Sequence, residues 1–160
     1  MNISSFLPII DKESKILILG SIPGVKSLEM QQYYAHPQNK FWKIICEIFN
    51  EDFTTDYSER IKILEKHHIS IWDVIDTCER KGSLDSEIRN EEANDIQQLL
   101  QNYPSIKAIF CNGQKSFKNL QKIMGKECAI PIFVLPSTSP LHTISFEKQL
   151  REWEILKSFL

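Results

Sequence analysis

The strongest order in the chain is a series of short apolar runs, separated by longer stretches in which apolar residues recur every three or four positions. Ile16-Leu17-Ile18-Leu19 is the first run, and Gly20-Ser21 ends it, so it predicts a buried strand that delivers the chain into a loop. Ile71 to Ile75, Ile106 to Cys111 and Pro131 to Leu135 repeat the pattern, the last opening on a proline that a strand accepts at its beginning. Helical spacing links Phe41, Trp42, Ile45, Cys46 and Phe49 behind an Asn39 cap, and Ile61, Leu64 and His68 within Glu59 to His68. Further helices are predicted from Asn90 or Asn94 to Tyr103-Pro104, and from the Asn112-Gly113 turn to about Ile123. A last one runs from a Ser145 cap to Leu160, with Phe146, Leu150 and Trp153 on one face. Strands alternating with helices predict a small three-layer α/β domain with an at least partly parallel sheet, whose functional loops gather beyond the C-terminal strand ends.

Composition narrows this picture. A chain of 160 residues, 42% hydrophobic and 25% charged, is long enough to bury one core, and residues 1–160 are expected to form one domain. With 19 basic and 21 acidic residues the net charge is -2, so no global positive field can coat a nucleic acid, and any polyanion must be gripped locally. Cys46, Cys78, Cys111 and Cys128 form no CxxC pair, which predicts free thiols in a reducing compartment. No leader or long apolar segment is evident, so the expectation is a soluble cytoplasmic protein without a membrane partner or an obligate protein partner.

Two strand exits carry the densest candidate chemistry: Gly20-Ser21-Ile22-Pro23-Gly24 and Pro136-Ser137-Thr138-Ser139-Pro140-Leu141-His142. Each reads either as a proline-defined turn or as a cradle whose small and hydroxyl-bearing residues approach a ligand closely. The first lacks the glycine spacing of a Walker A loop or a dinucleotide fingerprint. In Tyr33-Tyr34-Ala35-His36-Pro37-Gln38-Asn39-Lys40-Phe41-Trp42, aromatics suit stacking on a flat base, Asn39 offers both ends of an amide, and Lys40 suits a phosphate; a helix cap followed by core aromatics is the alternative. Asp73 and Asp76 read as the polar end of a strand or as ligands for water or a cation. Lys115, Lys118, Lys122 and Lys126 read as a solvated helix face or a DNA contact. The histidines have no metal-ligand spacing, so neither a metal nor a cofactor is predicted.

Taken in order, these loops together with Arg80-Lys81-Gly82-Ser83-Leu84-Asp85 and Cys111-Asn112-Gly113 resemble the uracil-DNA glycosylase superfamily, most closely its hypoxanthine-acting branch. The resemblance runs from about residue 16 to residue 156. It implies an α/β/α sandwich with a mostly parallel four-stranded sheet, and monofunctional hydrolysis of the N-glycosidic bond of deoxyinosine in DNA, releasing hypoxanthine for base excision repair. Ile22 stands where mismatch-specific relatives have asparagine, and the resemblance assigns the functional amide to Asn39. Gly20, Ser21, Ile22, Pro23, Gly24, Tyr33, Tyr34, Phe41 and Ser137 are expected around the base. Lys40, Ser139, Pro140, Leu141 and His142 are expected on the DNA, with Leu141 filling the gap left by the flipped nucleotide. Ser137 stands where uracil-removing relatives have a histidine. Uracil or another deaminated base is the alternative substrate, and a non-catalytic damaged-DNA or nucleotide-binding module the alternative class. A DNA partner in a prokaryote implies association with the nucleoid.

Overall fold

The computed structural model of the protein describes residues 2–125 and 128–160. In chain order its elements are β1 (Asn2–Ser4), β2 (Ile16–Gly20), α1 (Val25–Met30), α2 (Phe41–Ile48), α3 (Tyr57–Lys66), β3 (Ile69–Asp73), β4 (Ile75–Glu79), β5 (Arg89–Ala93), α4 (Ile96–Asn102), β6 (Ala108–Asn112), α5 (Gln114–Met124), β7 (Ile132–Leu135) and α6 (Phe146–Trp153). The four expected strands form one sheet in the order β3-β2-β6-β7, and every pair is parallel. Parallel strands are covered on both faces, which is why β2 and β6 read as unbroken apolar runs. Alternate residues of β2 then enter opposite cores. Ile16 and Ile18 pack with α2, Leu64 of α3 and Trp153 of α6, while Leu17 and Leu19 pack with Ile96 and Leu99 of α4 and Leu120 of α5. The result is the three-layer α/β/α arrangement.

Departures from the sequence pattern have local causes. The loop expected over 21–37 holds the short helix α1, which Gln31 stops in a left-handed conformation at φ 54°. The apolar run through Ile75 is two strands: the chain leaves the central sheet at Val74, and β4 pairs antiparallel with β1 and β5 in a second sheet. Asn90, one of the two expected helix starts, therefore lies in the strand β5, and the helix begins next to the other, Asn94. Asp95 caps α4 instead, its carboxylate accepting from Gln98 N at 3.0 Å, while the Asn94 amide donates to the Asp73 carbonyl at 2.8 Å. Asn39 does not cap α2, whose N-cap is Lys40; its Oδ1 accepts from Phe41 N at 2.9 Å. Ser145 caps α6 as expected, but the helix tightens after Trp153 into a 3-10 segment, Glu154–Phe159. The four cysteines are free. Lys126, the last residue of the expected basic face, lies outside the described residues.

Phe110 in β6 is fully buried and stacks on Phe133 at 5.1 Å between ring centroids. Truncating it leaves a cavity between sheet and helices, so Phe110→Ala should lower unfolding free energy by about 3–5 kcal/mol in urea titration.

Candidate functional site

Beyond the C-terminal edge of the parallel sheet, the chain folds around a cavity of about 300 Å³. The register that pairs Gly20 with Asp73 brings the ends of β2 and β3 together at its floor. A Cβ on Gly20 would stand 2.6 Å from Asp73 Oδ1 and 3.0 Å from the Tyr34 hydroxyl, so the missing side chain leaves room for both groups. Asp73 is 4% exposed, and among the described residues its Oδ2 has no hydrogen-bond partner. Burial, reinforced by the charge of Asp85, pushes its pKa up to about 7. Burial and then the Asp73 charge raise the Tyr34 phenol far above its ordinary value, while the Asn112 amide opposes them.

One wall is the loop Ser21–Gly24. Its carbonyls are taken up in sequence: Gly20 O by Val74 N at 2.9 Å, Ser21 O by Ile75 N at 3.1 Å, and Pro23 O by the buried Arg80 guanidinium at 2.7 Å. The same guanidinium donates to Gly82 O at 2.6 Å, fixing the loop that follows β4. From that loop Ser83 Oγ accepts from Val25 N at 2.9 Å, and Asp85 accepts from the Ser21 hydroxyl at 3.0 Å. The opposite wall is the loop after β7. Asn112 holds it by a reciprocal pair, donating to Thr138 Oγ1 at 3.0 Å and accepting from Thr138 N at 2.9 Å. Gln149 and Trp153 of α6 donate to the carbonyls of Ser137 and Pro136. Gly113, at φ 96°, passes so close that a Cβ would meet that of Ser137 at 3.1 Å.

Most of the expected base-pocket residues come together here. Gly20, Ser21, Ile22, Pro23, Gly24, Tyr33, Tyr34, Asn39 and Ser137 all line the cavity. Phe41 does not: it is fully buried behind the wall and stacks on Tyr34 with ring centroids 4.2 Å apart. Tyr33 is also nearly enclosed, its hydroxyl donating to Leu7 O at 2.8 Å. Asn39 reaches the cavity with Oδ1 engaged by Phe41 N, so its amide nitrogen is the end left to a ligand.

The residues expected on DNA divide. Ser139, Pro140 and Leu141 line the cavity rim, and Leu141 is 57% exposed, an apolar side chain offered to solvent. Lys40 and His142 lie outside it along a shallow neighbouring groove, and the Lys40 ammonium donates to Ile144 O at 2.8 Å. Asp73, Asp85, Asn112 and Thr138 also line the cavity. Asp73 reads from sequence as a strand end or a ligand for water or a cation; the other three sit in motifs whose individual side chains carry no local signal. Among the described residues no three His, Cys, Asp or Glu side chains gather as a metal site.

A compact cavity at the ends of a parallel sheet, with one wall after β2 and the other after β7, matches what comparison with known proteins finds. The model of the uracil DNA glycosylase superfamily matches residues 7–159, and the chain belongs to that superfamily. It is 35% identical over 156 residues to the hypoxanthine DNA glycosylase of Methanosarcina barkeri, covering 96% of each chain. To the protein of the same name from Methanosarcina acetivorans it is 36% identical, covering 93% of this chain and 94% of the relative. A solution NMR structure from Methanosarcina acetivorans, provisionally assigned as a uracil DNA glycosylase, superposes with a TM-score of 0.83 at 34% identity, covering 98% of this chain and 96% of its own. The protein is thus of a DNA glycosylase family, whose substrate is DNA.

Because the Asp73 pKa is raised from 3.8 to about 7 in the fold, the native state holds a proton that the unfolded chain releases. Stability is fully present below pH 3.8 and is lost as pH rises toward 7. Asp73→Asn removes that loss. Its advantage in melting temperature over the parent should widen between pH 4 and pH 7 and then level off, at a free energy on the order of a few kcal/mol.

Proposed function

We propose that the protein is a monofunctional glycosylase that hydrolyses the N-glycosidic bond of deoxyinosine in DNA, releasing hypoxanthine and leaving an abasic site for base excision repair. The observation that carries this reading is that Asn39 and Asp73 both line a cavity of about 300 Å³, the scale of one flipped base and not of a stacked duplex. Similarity to two hypoxanthine DNA glycosylases over nearly the whole chain supports the choice of base.

Deamination turns an amino group on the base into a carbonyl and adds a proton to the neighbouring ring nitrogen. A neutral carboxyl at Asp73 complements that edge, accepting from N–H and donating to C=O. As the bond to the sugar breaks, its electron pair leaves with the base, water oxygen bonds to C1′, and the proton lost by water balances the one the base gains. Donors against the base are then strengthened by its growing negative charge. The Asn39 nitrogen is one such donor, either to the base or to the oxygen of the attacking water. Leu141, exposed at the rim, occupies the space left in the stack, and the hydroxyl-bearing loop around it meets the backbone. Uracil release is the second reading, favoured by the assignment of the solved relative.

Duplex oligonucleotides carrying inosine, uracil, xanthine or ethenocytosine, followed by alkaline cleavage, test both readings; inosine should be processed fastest, and folded protein that cleaves none of them sinks the proposal. Asn39→Ala should slow single-turnover release by about 10²-fold with DNA affinity little changed. In the parent, ionisation of Asp73 sets a negative charge against the departing base, so release should fall as pH rises through about 7. Asp73→Asn, which keeps a donor without titrating, should lose that descent.

A further inference from the structure

The Asn39 amide leaves one part of a hydrolysis unprovided. Its Oδ1 accepts from Phe41 N and its nitrogen is a donor, and a neutral amide can hold a water but cannot take the proton that water must lose. Ile22 supplies nothing polar from its side chain. The acidic side chains that line the cavity are two, Asp73 and Asp85. Asp73 is buried on the floor, under the base. Asp85 is exposed and lies where the cavity opens into the groove that also holds Gly113, Leu141 and Lys148. Asp85 thus stands at the mouth, where a base held in the cavity would join its sugar.

We propose that Asp85 is the carboxylate that activates the attacking water and faces the positive charge developing on the sugar. The assignment rests on the glycosylase reading above. Ser21 holds Asp85 by one oxygen, donating to Oδ1 at 3.0 Å, and among the described residues Oδ2 has no hydrogen-bond partner. The buried Arg80 guanidinium, on Pro23 O and Gly82 O, fixes the Asp85 loop and the Ser21 loop to each other, so the carboxylate is held and not merely near. In the step, a water O–H bond breaks and its proton passes to Asp85 Oδ2, the oxygen bonds to C1′, and the C1′–N electron pair leaves with the base. Asp85 afterwards returns the proton to the released base or to solvent. A carboxylate from the loop after β4 thus takes the part that the loop after β2 cannot.

The test compares Asp85→Asn and Asp85→Ala with the parent in single-turnover release from inosine duplex, alongside DNA affinity, melting temperature and rescue by sodium formate. Asp85→Asn keeps the shape and the Ser21 contact but loses the charge. It should release base about 10²-fold more slowly while binding DNA as tightly or more tightly, since a negative charge near phosphate is gone. Asp85→Ala should be as slow and regain rate in proportion to added formate, a response that a merely structural side chain does not give. Release by Asp85→Asn within threefold of the parent, or an Asp85→Ala variant that formate leaves unchanged, overturns the assignment while glycosylase activity stands. A parent protein that releases no base from any oligonucleotide overturns the glycosylase reading itself, and with it the role of Asp85.

Discussion

A carboxyl and a phenol share the end of the central strand because Gly20 has no side chain to exclude them, and the rest of the cavity is arranged around that close approach. The parallel register sets Gly20 beside Asp73, so the polar floor is fixed by backbone pairing before any loop is placed. Tyr34 reaches the same point from a left-handed backbone at φ 52°, a conformation that costs free energy in a non-glycine residue and is held by stacking on the buried Phe41. The site therefore concentrates two unfavourable arrangements, an unpaired carboxyl and a strained tyrosine, which the surrounding core outweighs.

The two walls are held differently. The loop after β2 is fixed by backbone groups of the chain leaving β3 and by one buried arginine, whereas the loop after β7 is fixed by Asn112 and by side chains of α6. Lys40 braces the second of them, its amide donating to Thr138 O at 3.1 Å and its ammonium to Ile144 O. One of its three ammonium donors is thereby engaged, the charge itself remaining. Lys115 is likewise paired, with Glu91 at 2.8 Å. The net charge of -2 leaves no broad positive field over the chain.

The central sheet was legible because buried parallel strands write apolar runs that nothing else in the chain imitates. The second sheet was not, since β5 is Arg-Asn-Glu-Glu-Ala, polar up to its last residue and exposed at every position but Glu91, with no alternation to betray it. The same limit applies to the site. Gly20 to Gly24, Asn39 and Ser137 stood out because turns and amides carry local signals. Phe41, a neighbour of Asn39 in sequence, was drawn into the pocket by that adjacency, although helix geometry turns it to the core. Asp73 gains its character from burial and from the charge of Asp85 across the fold, and no window of sequence contains that information.

The cavity takes its lining from segments as distant as Phe6 and Leu141, joined only through parallel pairings that span long intervals of chain. Contacts of this kind form late, since the entropy of closing large loops must be met before they reward the chain. A nascent or partly unfolded molecule thus has helices and hairpins but no base-sized hole. The cavity and the global fold are therefore lost together when the sheet comes apart.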